Sequence, residues 1–145
     1  MKINFTKKQY RTLVELLFLG NHMSNGVRES DRIVQEYEDL LQYVYSFAKE
    51  MGMEEEIIFE KEYNEFFETR ELEESLMDYI DEYDGDVFWN ELAGRLAVRD
   101  VKRQERVSVT KLDPEERMRK IWDREVEYLD EFASYELDRV NVDLS

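Results

Sequence analysis

The chain has 145 residues, with 36 Asp and Glu against 20 Lys and Arg for a net charge of −16, no cysteine, five glycines and one proline. That length suits one domain around one core, so a single compact acidic domain over 1–145 is expected. Lack of cysteine excludes disulfides, thiolate nucleophiles and sulfur-ligated zinc, and scarce glycine and proline argue against a sheet-rich fold.

The first helix is predicted from Thr6. In "TKKQ", Gln9 stands three residues after the threonine, so the two side chains can satisfy each other's free backbone N–H groups. This helix is expected to bury Tyr10, Leu13, Leu16, Leu17 and Met23, and to end near "SNG", with Asn25 or Gly26 in the left-handed conformation. A second helix is predicted over about Asp31 to Met51. It places Ile33, Tyr37, Leu40, Leu41, Val44, Phe47, Ala48 and Met51 on one face and stops at Gly52. The short connection makes these two an antiparallel hairpin.

Residues 53–68 combine Ile57 and Ile58 with Tyr63, Phe66 and Phe67 and are read as helical. Thr69 is a fresh N-cap for a helix burying Leu72, Leu76, Tyr79, Ile80 and Tyr83. Across a turn at Gly85, another helix is expected from about Val87 to Arg103 with Phe88, Leu92, Leu96 and Val101 inward. In "LDPEER", Asp113 caps, Pro114 takes the first helical position and two glutamates complement the dipole of a last helix carrying Met118, Ile121, Trp122, Leu129, Phe132 and Ala133. "KINF", "RVSVT" and "VNVDL" alternate apolar and polar residues and are candidate strands tying the termini together. The expected fold is mostly α: an antiparallel bundle of four to five helices with a small two- or three-stranded terminal sheet.

Charge is unevenly spread. Residues 1–52 are neutral, 53–94 carry −14 (2 basic, 16 acidic), 95–120 carry +4 and 121–145 carry −6. A chain this acidic is a poor binder of nucleic-acid phosphates, whose affinity comes from Lys and Arg. The acidic block is either a solvated face that confers solubility or an imitation of a phosphate backbone for a basic DNA-binding partner. Beside it, "GRLAVRDVKRQER" holds Arg95, Arg99 and Arg103 four residues apart on one helical face, with Lys102 and Arg106 nearby. These five form a candidate interaction stripe; the competing expectation is that they close ion pairs with carboxylates on a neighbouring helix.

Catalytic signatures are sparse. His22 is the only histidine, and Ser24, two residues on, projects in a different direction from a helix. Leu19 stands three before it, where a di-iron bundle needs glutamate, and no glycine-rich phosphate loop is present. "IDEYDGDVFWNE" resembles a calcium-binding EF-hand loop. Glu82, Asp84 and Glu91 fall on ligand positions and Gly85 on the glycine position, but Ile80 replaces the first ligand. A capped turn explains the stretch with fewer requirements, so neither metal nor cofactor is expected. No segment approaches the ~18 apolar residues of a membrane span, and the N-terminus lacks a small-residue cleavage pattern, so a soluble cytoplasmic protein is expected. The sequence reads as a non-enzymatic protein-interaction or regulatory module, able to form a homodimer, with an acidic nucleic-acid mimic and a carboxylate-dependent hydrolase as alternatives.

Overall fold

A computed structural model describes residues 3–107 and 112–141. Among these are five helices and one two-stranded sheet: α1 Lys7–Asn25, α2 Gln35–Tyr45, α3 Ala48–Met51, β1 Ile57–Glu60, β2 Glu65–Glu68, α4 Arg70–Val107 and α5 Pro114–Tyr135. The chain is mostly helical, as its composition implies. It divides into two compact units, Met1–Asp81 and Glu82–Ser145, and the division falls within α4.

In the first unit, α1 starts as predicted. The Gln9 N–H donates to Thr6 Oγ1 at 3.2 Å, while the Thr6 N–H donates to Gln9 Oε1 at 2.9 Å. The helix ends at Asn25, but Gly26 stays right-handed at φ −59°, so the expected left-handed stop is absent. Asn25 instead uses its side chain: its Oδ1 accepts the Val34 N–H at 2.8 Å, and Nδ2 donates to Asn21 Oδ1. This clasp fixes the connection and delays α2 to Gln35, four residues after the predicted start.

Asn21 donates to Glu38 and Tyr10 to the Val44 carbonyl, so α1 and α2 run antiparallel, as expected. The predicted second helix is broken after Tyr45 and resumes as α3, which Gly52 terminates at φ +76°. Tyr10, Val14, Leu41, Val44, Tyr45 and Ala48 form the core with Met53, Ile57, Leu72 and Leu76. Leu16, Met23, Tyr37 and Leu40 are exposed, because the buried face is centred on Val14 and Leu41.

Residues 53–68 are not helical. β1 and β2 form an antiparallel hairpin with Ile57 opposite Glu68, Ile58 opposite Phe67, Phe59 opposite Phe66 and Glu60 opposite Glu65. β-branched and aromatic residues fit this pleated surface, and Asn64 takes the left-handed conformation (φ 58°) that closes the loop and breaks a helix. Gln42 covers one edge: its amide donates to the Phe66 carbonyl at 2.9 Å and accepts the Phe66 N–H at 2.8 Å. With both backbone groups of Phe66 turned to α2, Phe59 and Phe66 are a non-hydrogen-bonded pair, whose side chains lie closest; their ring centroids are 4.9 Å apart. The sheet therefore lies in the middle of the chain rather than joining the termini. Ile3–Phe5 form no strand, and most of "RVSVT" and "VNVDL" lies outside the described residues.

α4 begins where Thr69 predicts, with the Leu72 N–H directed to Thr69 Oγ1. It then continues through Gly85 without a turn. An added Cβ at Gly85 meets nothing within 4 Å, and its φ is not positive. The helix formers on either side outweigh one glycine, which costs only about 1 kcal/mol relative to alanine.

In the second unit, Asp113 accepts the Glu115 and Glu116 N–H groups at 2.9 and 3.1 Å and starts α5 as predicted. The C-terminal part of α4 packs antiparallel to α5: Glu105 meets Arg117, Asp100 meets Tyr128, and the rings of Trp89 and Phe132 lie 5.3 Å apart. The small residues Ala93 and Ala97 are fully buried there, with Val101 and Phe132, whereas Phe88, Met118 and Trp122 are exposed. Among the described residues no helix is long and apolar enough to cross a membrane.

Candidate functional site

The acidic block is distributed over the turn before β1, the hairpin and α4 as far as Glu91. Of its sixteen carboxylates, only Glu56 and Glu68 are half-buried and the rest are exposed. Three of the sixteen form ion pairs with described residues: Glu56 with Arg11, Glu74 with Arg70 and Glu91 with Arg95. Along α4, Glu74, Asp78, Glu82 and Asp86 fall four residues apart on one row, where like charges repel by a few tenths of a kcal/mol per pair.

The arginine stripe lies on α4 in the second unit, and among the described residues its one ion pair with the block is Arg95 with Glu91. Arg95 pairs with Glu91 on its own helix at 2.9 Å and is 81% exposed. Arg99 contacts Asp100 at 2.8 Å and the Tyr128 hydroxyl at 3.3 Å, and the Tyr128 hydroxyl donates to Asp100 in turn. Partial burial opposes ionisation of Asp100, but the hydrogen bonds from Arg99 and Tyr128 outweigh it and hold its pKa below the ordinary carboxylate value. Lys102, Arg103 and Arg106 are exposed and form no ion pair with described residues. Arg117 of α5, not singled out from the sequence, grips Glu105 through Nε at 2.9 Å and Nη2 at 2.6 Å. The pairing between helices thus runs from α5 to α4, with a carboxylate of the basic segment as acceptor.

The EF-hand-like residues are not brought together. Within a continuous helix, Glu82 projects about 200° away from Asp84 and about 180° away from Glu91, and all three are exposed. The turn expected at Gly85 is absent, and Ile80 is half-buried rather than in the core. Among the described residues no cluster of three or more acidic or histidine side chains has a geometry to hold a metal ion.

His22 lines a cleft of about 330 Å³ in the first unit with Glu38, Tyr45, Phe66, Glu68 and Glu73. Tyr45 is fully buried, and its hydroxyl donates to Glu68; burial first, and then the neighbouring Glu68 and Glu38, raise its pKa far above the usual value. The His22 ring stacks on Phe18 at 6.3 Å, giving a packing role to the one histidine. The cleft residues come from α1, α2, β2 and α4, and it is invisible without the hairpin. No protein-family model, curated protein or solved structure matches this chain.

Proposed function

We propose that the protein is a non-enzymatic interaction module of the cytoplasm whose exposed carboxylates, on the hairpin and the first half of α4, engage a basic surface of a partner protein. The supporting observation is the uncompensated charge: thirteen of sixteen carboxylates in 53–94 have no cationic partner among the described residues. An internal scaffold of ion pairs would consume these charges, whereas a steering surface leaves them in solvent, where they raise association rates with a basic partner.

A second reading, mimicry of nucleic acid, is favoured by spacing. Six carboxylates, Glu71, Glu74, Asp78, Asp81, Glu82 and Asp86, share one side of α4, over a helical length of about 22 Å, or one charge per roughly 4 Å. A DNA strand carries one phosphate per about 3.4 Å.

The test is capture from the native host at about 50 and 500 mM salt, using wild type and an Asp78→Asn/Glu82→Gln/Asp86→Asn variant. A basic protein retained only by wild type at low salt is expected. Identical captures by the two proteins contradict the reading, and displacement of DNA from the captured protein selects mimicry over simple docking.

A further inference from the structure

We infer that the outer face of the β1–β2 hairpin is the anchor of this surface and docks an amphipathic basic segment of the partner, apolar on one side and lysine- or arginine-bearing beside it. The inference rests on the interaction reading above and names where the partner is gripped.

Residues alternate between the two faces of a strand pair. Ile57 points inward and is buried, so Ile58 and Glu60 of β1, with Glu65 and Phe67 of β2, make the outer face. On it Ile58 stands opposite Phe67, and the Tyr63 ring meets Phe67 edge-on at 5.8 Å. These three apolar groups are 45%, 38% and 65% exposed for Ile58, Phe67 and Tyr63. One step along the ladder, Glu60 stands opposite Glu65, and neither forms an ion pair with a described residue. Like charges directly opposite destabilise a sheet, so this pair is a seat for an incoming cation.

An apolar cluster beside two unneutralised carboxylates is complementary to a basic amphipathic segment. The Ile58–Phe67–Tyr63 patch receives its apolar side, the glutamate pair receives its cation, and the Tyr63 ring offers a further face to the charge. A second copy of this chain would bring another glutamate pair to the same place, and an anionic lipid surface would be repelled by it. The long acidic surface then sets the rate of encounter and the apolar anchor sets the lifetime of the complex.

The test uses two synthetic peptides of equal positive charge, one an amphipathic lysine–leucine helix and one with glutamine in place of leucine, titrated by fluorescence anisotropy at about 50 mM salt. The leucine peptide is expected to bind wild type roughly tenfold or more tightly than the glutamine peptide. That preference is expected to vanish in Tyr63→Ser/Phe67→Thr and in Ile58→Thr, each checked by circular dichroism for an unchanged fold. Equal binding of the two peptides to wild type, or a preference that survives both variants, overturns the anchor and leaves the acidic surface standing. Absence of binding by either peptide overturns both.

Discussion

Glu60 and Glu65 face each other directly across the two strands of the hairpin, on the side away from the core. Two like charges at that separation oppose the pairing that the aromatic residues and the Gln42 clasp maintain. Replacing Glu65 with lysine converts the repulsive pair into an attractive one. The variant is expected to gain about 0.5 kcal/mol in urea denaturation at low salt, within the range of cross-strand pairs. The gain is expected to shrink at about 1 M salt, where the screening length falls to about 3 Å; a gain independent of salt would falsify the electrostatic origin.

Tyr45 binds α2 to the end of β2 through its hydroxyl and Glu68, and it has no exposed surface. Tyr45→Phe keeps the ring and removes the donor, leaving a half-buried carboxylate without its hydrogen bond. A loss of roughly 1–3 kcal/mol is expected, since bonds to charged groups exceed neutral ones. Unchanged stability in guanidinium denaturation would mean that water replaces the hydroxyl at no cost.

Two buried tyrosines also make the fold sensitive to alkali. Burial raises the pKa of Tyr10 to about 12, and burial together with Glu68 raises that of Tyr45 further. The unfolded chain ionises both near pH 10, so the stability they contribute is complete below pH 10 and is lost as pH rises from 10 towards 12 and beyond. Each unit of pH in that window costs up to about 1.4 kcal/mol per tyrosine. Melting temperatures across the window are expected to fall steeply in wild type and less so in Tyr45→Phe. Equal slopes would remove Tyr45 from the explanation.

What the sequence discloses about this fold follows how local each determinant is. The Thr6–Gln9 box and the Asp113–Pro114 start are complete within four residues, and both are found where their side chains place them. The hairpin is not local: its loop has no Asn-Gly or Asp-Gly signal, and its edge is satisfied by Gln42, twenty-four residues from Phe66. Gly85 misleads in the opposite way, because a glycine among acids reads as a stop although nothing nearby takes the chain out of the helix. The acidic block itself is legible from composition alone. That only three of its carboxylates find cationic partners among the described residues is not, since the sequence does not decide whether Arg95 reaches across to another helix or back to Glu91.

The basic stripe is expected to be functionally uneven. Arg95 is largely exposed and pairs only within its helix, so Arg95→Glu is expected to change stability by no more than about 0.5 kcal/mol, in line with surface pairs. Arg99 supports the Asp100–Tyr128 bond, and Arg99→Glu places a second negative charge against Asp100. A larger loss, on the order of 1 kcal/mol, is expected there. Equal losses at the two positions, measured by thermal melting, would contradict this division.

The continuity of α4 can be tested by the sign of a single substitution. At Gly85 an added methyl group meets nothing within 4 Å, and the backbone needs no left-handed conformation. Gly85→Ala is therefore expected to stabilise the protein by about 0.5–1 kcal/mol, because alanine loses less conformational freedom in a helix. If a turn interrupted the helix there, a glycine at positive φ would be required and alanine would be destabilising by a similar amount. Gly52 supplies the control: it sits at φ +76°, and an added Cβ comes within 2.9 Å of Lys7 Nζ, so Gly52→Ala is expected to destabilise. The same continuity holds Glu82 on the side of the helix away from Asp84 and Glu91, so titration with millimolar calcium is expected to release no saturable heat in wild type or in Gly85→Ala. A destabilised Gly85→Ala together with a calcium isotherm in wild type would restore the loop and break α4 in two.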